Sequence, residues 1–177
     1  MDLKPFFLAV FALILPCVFL NAQDLNYYHY TVDDGLPSSQ VDDIVQDNYG
    51  NLWFSTDHGL SRYNGYEFKN YTIADGLPSN SIFKFFKQPN GEIWATTFSK
   101  KVFIIQGKNP VFKPYPYNGV LASVPDPCIT ICMHVTKNNS LLMSFVNRPG
   151  YIHIDEKGKI ISNTVEHSFG LNRTAVV

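Results

Sequence analysis

Tyr30-Thr31-Val32-Asp33-Asp34-Gly35-Leu36-Pro37-Ser38 returns as Tyr71-Thr72-Ile73-Ala74-Asp75-Gly76-Leu77-Pro78-Ser79, 41 residues further along the chain. The same offset holds without a gap through Gly50 and Gly91, Trp53 and Trp94, and Thr56 and Thr97. Chance does not keep Gly, Trp and Thr in register with an Asp-Gly-Leu-Pro-Ser block. A fixed period of this length marks an array of supersecondary units, and every other element has to be read within it.

Within one period the pattern predicts four short strands. Val41–Gln46 turns through Asp47-Asn48-Tyr49-Gly50 into 51–56, and Asp57-His58-Gly59 leads to 60–63. Asn64-Gly65 then turns into 66–72; Asn-Gly between apolar runs marks a hairpin because both residues reach positive φ at little cost. The second period predicts strands at Ile82–Lys87, 92–97 and Val102–Gln106, then an expanded turn at Gly107-Lys108-Asn109-Pro110 before 111–117. A third, divergent period lacks the Trp and the Asp-Gly-Leu-Pro block but keeps the order, with strands at 130–136, Leu141–Phe145 and 151–155. No stretch carries a sustained 3.6-residue apolar period, so no long helix is expected.

Four antiparallel strands every 40 to 45 residues describe a propeller blade. The fold class is therefore all-β, a partial β-propeller of about three four-stranded blades that do not close a ring. The segments divide as 33–72 for blade 1, 73–117 for blade 2, and 118–177 for the divergent blade 3 with its tail. Residues 25–32 align with the last strand of the following period, which predicts an outer strand completing a blade whose other strands lie elsewhere. Only 153 residues follow position 24, whereas closed propellers use more blades, so a longer parent protein is expected.

The first 22 residues read as an address. Lys4 precedes an apolar run from Phe6 to Leu20, and Asn21-Ala22-Gln23-Asp24 follows, the arrangement of a secretory signal. Fifteen apolar residues are short for a membrane span. Composition agrees with a packed β domain: 45% apolar and 15% aromatic residues argue against disorder and favour pleated surfaces. A net charge of −1 gives no field for nucleic acid. Outside the signal only Cys128 and Cys132 remain. Four residues apart on a strand is too far for a disulfide without a bend, so both are expected to be buried thiols.

The run Asp34-Gly35-Leu36-Pro37-Ser38, followed by Asp47-Asn48-Tyr49-Gly50-Asn51-Leu52-Trp53-Phe54-Ser55-Thr56 and Gly59-Leu60-Ser61-Arg62-Tyr63-Asn64-Gly65, resembles the two-component regulator propeller repeat. The resemblance spans Tyr30 to Phe112; in the second period Lys100-Lys101-Val102-Phe103 departs from the Gly-Leu-x-Arg-Tyr segment. It implies the periplasmic sensor region of a bacterial histidine kinase or hybrid regulator, in which blades precede a β-sandwich, a membrane helix and a cytoplasmic kinase. It also implies a small-molecule or oligosaccharide ligand, a homodimer, and missing downstream blades and kinase as partners. No kinase phosphoacceptor segment, Gly-rich nucleotide loop or second apolar span stands in the sequence, so the expectation is a sensor segment with no catalytic residue, cofactor or metal.

Most conspicuous residues have structural explanations. Asp34 and Asp75 are expected to fold onto nearby backbone N–H groups and fix a turn. Gly35 and Gly76 supply an unusual φ, and Pro37 and Pro78 stiffen the connection between blades. Leu36 and Leu77 accompany them in the repeat, and Trp53 and Trp94 are expected to pack between blades. The candidate ligand site lies where the loop after the second strand of each blade meets the Asp-Gly-Leu-Pro loop, using Asp57, His58, Ser99 and Lys100. Two alternatives stay open: a fragment of an exported carbohydrate-active propeller enzyme, which needs a pair of axial carboxylates, and a gene fragment without function. Asp42 and Asp43 on the innermost strand have Phe83 and Lys84 as their second-blade counterparts, which argues against a repeated acidic funnel.

Overall fold

The computed structural model describes residues 27–124, 130–136, 138–146 and 148–163. The signal segment and Cys128 lie outside the described residues.

Blade 1 is a four-stranded antiparallel meander of β1 (Val41–Gln46), β2 (Leu52–Thr56), β3 (Gly59–Tyr63) and β4 (Phe68–Tyr71). Blade 2 repeats it with β5 (Ile82–Lys87), β6 (Ile93–Thr97), β7 (Val102–Gln106) and β8 (Val111–Pro114). Blade 3 follows with β9 (Thr130–Val135), β10 (Leu141–Phe145), β11 (Arg148–Ile154) and β12 (Ile160–Asn163). The register repeats as well as the order. Gln46 faces Leu52, Lys87 faces Ile93 and Val135 faces Leu141, so Trp53, Trp94 and Leu142 occupy one structural position.

A strand has two faces, and here each blade turns one face to each neighbour. Between blades 1 and 2, Trp53, Leu60 and Tyr71 meet Ile82, Phe85, Ile93, Phe103 and Phe112. Trp53 stacks on Tyr71 at 5.7 Å, and Phe112 meets Tyr71 edge-on at 5.1 Å. Between blades 2 and 3, Trp94, Val102 and Tyr115 meet Met133, Leu141, Met143 and Ile152. Each Trp is 1% exposed, and losing such a ring costs about 3–5 kcal/mol.

Polar contacts tie the first two blades along their radius. Near the innermost strands Asp43 Oδ2 accepts Phe85 N–H at 2.9 Å, and Lys87 Nζ donates to Gln46 O at 2.8 Å. The Ser55 hydroxyl lies 3.2 Å from Phe83 O, and farther out Arg62 Nη1 donates to Lys108 O at 3.1 Å.

The Asp-Gly-Leu-Pro block forms the entry to each blade. Asp34 Oδ2 accepts Thr31 N–H at 2.7 Å, and Asp75 Oδ2 accepts Thr72 N–H at 2.8 Å. Each threonine hydroxyl in turn caps a single 3₁₀ turn, Val32–Asp34 or Ile73–Asp75. Both turns close on glycine with positive φ, +111° at Gly35 and +97° at Gly76, a conformation costly for any residue with a Cβ. Between blades 2 and 3 a short helix, Asn118–Ala122, takes the place of this turn. The Asn118 amide bonds both Val102 N–H (2.8 Å) and Val102 O (2.9 Å), standing in for a strand backbone.

Of the segment 25–32, the described residues 27–31 carry no ladder and Val32 opens the 3₁₀ turn Val32–Asp34. A strand exists only by pairing, and no described strand pairs with this segment. Cys132 is exposed rather than buried, because it sits on the face of β9 opposite buried Met133. The fourth strand of blade 3, to which the sequence reading gave no bounds, is β12.

Candidate functional site

Alternating strand direction gives each blade two ends. At one end lie the β2–β3 and β6–β7 hairpin loops together with the blade entries. The side-chain hydroxyl of Ser38, from the entry to blade 1, acts on the carboxyl of Asp57 in the β2–β3 loop. His58 Nδ1 lies 2.9 Å from Asp57 Oδ1, with both side chains partly in solvent. Ser38 first and His58 second hold the Asp57 carboxyl below the ordinary value. In blade 2, Ser99 Oγ lies 3.0 Å from Thr97 Oγ1, and Lys100 takes a left-handed backbone (φ +63°) while Nζ donates to Val124 O at 2.8 Å. Lys101 Nζ donates to Pro78 O at 3.1 Å. Asp57 and His58 thus form an exposed pair, whereas Ser99 and Lys100 have their polar atoms engaged within blade 2 and its exit. The small cavity beside Lys100 is apolar, walled by Val102, Leu121, Val124, Met143 and Phe145, with room for about 10 Å³.

The larger hollows sit at the opposite end, among the β1–β2, β5–β6, β7–β8 and β9–β10 turns. One of about 260 Å³ is lined by Asn48, Tyr49, Asn90, Glu92 and Gln106, with buried Trp53 also in its wall. A second of about 550 Å³ shares Asn90 and Glu92 and reaches His134, Thr136 and Asn139. The two therefore adjoin along the turn ends of all three blades.

The walls of this groove are fixed from beneath. The Asp47 carboxylate accepts Tyr49 N–H (2.8 Å), Asn51 N–H (2.9 Å), Asn51 Nδ2 (2.8 Å) and Trp53 Nε1 (3.0 Å). Burial works to raise its pKa, but these four donors outweigh it and hold the carboxyl below the ordinary value. In blade 2, Gln88 stands where Asp47 does, and the Trp94 indole turns instead to Glu92 Oε2 at 3.4 Å, with Gln106 Nε2 on Oε1 at 3.2 Å. A Cβ at Gly91 would overlap the Asn48 side chain, so glycine is what lets that amide cross from blade 1 onto blade 2. The exposed ring of Tyr49, the side-chain amides of Asn48, Asn90 and Gln106 and the Glu92 carboxylate thus face one groove, a surface suited to stacking and hydrogen bonding with a neutral polar ligand. Sequence reading assigned Asn48, Tyr49 and Asn90 to turns without joining them, since the groove arises only when blades stack.

Residues 35–58 match the family described as two component regulator propeller. The chain carries a two-component regulator propeller repeat. Over 67 residues, 35% of its length, the chain is 40% identical to Histidine kinase P4 of Formosa agariphila, of which the matched part is 5%. The propeller arc superposes on the extracellular domain of a hybrid two component system from B. thetaiotaomicron with a TM-score of 0.57 at 20% identity, covering 80% of this chain and 18% of that one. A second such domain from the same organism gives 0.50 at 19% identity, over 75% and 16% of the two chains. The chain thus spans less than a fifth of each of these relatives. At these identities the solved structures share the blade architecture. No described helix is long and apolar enough to cross a membrane, and no described cluster of His, Cys, Asp or Glu could hold a metal ion.

Proposed function

We propose that this chain is a non-catalytic, exported sensing segment of a two-component signalling protein, binding a small polar ligand across the ends of its blades. The observation that carries the reading is the family match at residues 35–58, which joins the first blade entry to the loop bearing His58. The name of the F. agariphila kinase and the extracellular setting of the B. thetaiotaomicron domains support the same context. The periplasm is the compartment this reading assigns. An oligosaccharide is the ligand class the resemblance supplies, and the groove of Tyr49, Asn90, Glu92 and Gln106 offers the stacking ring and bonding groups such a ligand uses. Homodimerisation and a downstream kinase belong to the same proposal.

A second location rests on a separate observation, the exposed Asp57–His58 pair at the entry end, with Ser99 and Lys100 in the equivalent loop of blade 2. Calorimetric titration with a panel of neutral and acidic oligosaccharides, with chromatography of each mixture afterwards, tests the reading. Saturable binding with the sugar recovered intact supports it. Cleavage of the sugar overturns the non-catalytic assignment.

A further inference from the structure

Two carboxylates stand at the turn ends of blades 1 and 2, and they are engaged differently. Gln88 N–H donates to Glu92 O at 2.8 Å as Asp47 N–H donates to Asn51 O at 2.9 Å. Glu92 therefore holds the position of Asn51, and Gln88 that of Asp47. From blade 1 to blade 2 the acid moves from the first residue of the turn to the last. The indole follows it: Trp53 Nε1 donates to Asp47 Oδ2, and Trp94 Nε1 to Glu92 Oε2.

An ionised carboxylate accepts at about four lone-pair sites. Asp47 fills that capacity with Tyr49 N–H, Asn51 N–H, Asn51 Nδ2 and Trp53 Nε1. Glu92 receives Gln106 Nε2 at 3.2 Å and Trp94 Nε1 at 3.4 Å, the second long for such a bond. Its side chain lines the hollow of about 260 Å³ between blades 1 and 2, and it keeps acceptor sites for a group that enters there. Asn90 Oδ1 accepts Glu92 N–H at 3.0 Å, which fixes the backbone beneath it.

Among the described residues that line this hollow, none is a lysine or arginine. Arg62 lies over the Trp53 ring with Nη1 on Lys108 O, and Lys87 Nζ is bonded to Gln46 O. Among the described residues no cation pairs with Glu92. A half-engaged carboxylate of this kind attracts O–H donors and repels a second anion.

We propose that Glu92 is the specificity-determining residue of this hollow, accepting from neighbouring hydroxyls of a ring that stacks on Tyr49 and rejecting ligands that place a carboxylate or sulfate there. The inference rests on the ligand-binding reading above and narrows it to neutral saccharides. Asp47, already saturated, shapes the turn that carries Tyr49 and takes no ligand bond.

An array of immobilised oligosaccharides in neutral, uronic and sulfated groups, probed with the whole chain, tests this. Neutral glycans are expected to bind, and acidic derivatives of the same backbones roughly tenfold more weakly or worse. Glu92→Gln keeps the shape but not the charge; it is expected to weaken the neutral binders roughly tenfold and to bring the acidic derivatives up towards them. Tyr49→Ala lowers both groups and leaves their ratio alone. Acidic glycans that bind the unaltered chain as tightly as neutral ones overturn the proposal. An unchanged ratio in Glu92→Gln, with binding lost in Tyr49→Ala, overturns the role of Glu92 and keeps the hollow. No binding by any group removes the saccharide reading itself, and the role of Glu92 with it. Should circular dichroism show Glu92→Gln unfolded, salt dependence in the unaltered chain decides: a neutral-to-acidic preference that narrows as salt rises supports the charge, and one indifferent to salt overturns it.

Discussion

Tyr30 meets the ring of Phe68 edge-on at 5.3 Å and 76°, and 41 residues later Tyr71 meets Phe112 at 5.1 Å and 72°. Phe68 and Phe112 hold equivalent places, since Tyr63 faces Phe68 as Ile105 faces Phe112. Tyr71 is a blade 1 residue reaching across to blade 2, so Tyr30 makes toward blade 1 the contact that a preceding blade makes. It does so without a strand around it. A further bond from Tyr30 Oη to Tyr63 Oη at 3.1 Å fixes the ring.

Replacing Tyr71 by Ala is expected to destabilise the chain by about 3–5 kcal/mol, the range for a large buried ring. Tyr30→Ala is expected to cost about 1–2 kcal/mol, one edge-on aromatic contact with partial burial. Urea denaturation followed by tryptophan fluorescence measures both. Equal losses would mean that the N-terminal segment is packed as deeply as a complete blade edge.

The blade entry is sensitive to backbone geometry more than to charge. Gly35→Ala puts a Cβ at a φ of +111° and 3.2 Å from Phe68 Cβ, and is expected to cost more than about 1 kcal/mol. Asp75→Ala removes the acceptor for Thr72 N–H and Oγ1, and is expected to cost about 1 kcal/mol. Thermal melts of the two variants check the order.

Among the described residues, the hydroxyls of Tyr71 and Tyr115 are buried without a hydrogen-bond partner. Burial, with smaller contributions from Tyr117 and Asp155, pushes the Tyr115 phenol up to about 12. Because the folded pKa is raised, the stability linked to this group is full below the ordinary value of 10.0 and is lost as pH rises through about 12. Tyr115→Phe is expected to be neutral or stabilising by up to about 1 kcal/mol and to flatten the alkaline limb. Urea midpoints between pH 8 and pH 12 measure it, and a clear loss at pH 8 contradicts the assignment of an unpaired hydroxyl.

At the acid end the sign reverses. Asp47 is held below the ordinary 3.8, so its contribution is full above that value and is lost as pH falls through the lower folded pKa. Asp47→Asn is expected to cost about 1–2 kcal/mol at pH 7 and almost nothing at the foot of the acid limb. A loss independent of pH would assign the residue a purely steric role.

Much of the fold was legible because the repeat and its turns speak locally. The bounds of β1, β5, β7 and β10 follow from apolar runs punctuated by Asp-Asn-Tyr-Gly, Pro-Asn-Gly and Asn-Asn-Ser. Residues 27–31 stand without a ladder because alignment carries sequence from one period to the next but not the partner a strand needs. The Asn118–Ala122 helix and β12 escaped because they lie where the chain leaves the repeat, and five or four residues show no period of their own. At the candidate site, Asp57 and His58 stood out as adjacent polar residues in a loop. The fate of Lys100, bonded to Val124 O, and the joining of Asn48, Tyr49 and Asn90 into one groove depend on contacts between blades.

The affinity of an oligosaccharide for the chain and for two sets of variants tests ligand binding at the blade ends. Tyr49→Ala with Asn90→Ala and Glu92→Ala strips the turn-end groove; Asp57→Ala with His58→Ala, Ser99→Ala and Lys100→Ala strips the entry end. A ligand held in the turn-end groove binds the unaltered chain saturably, with affinity falling roughly tenfold or more in the first set and little in the second. Loss confined to the second set moves the ligand to the entry end. Unchanged affinity in both sets, with each variant folded, contradicts ligand binding at the blade ends altogether.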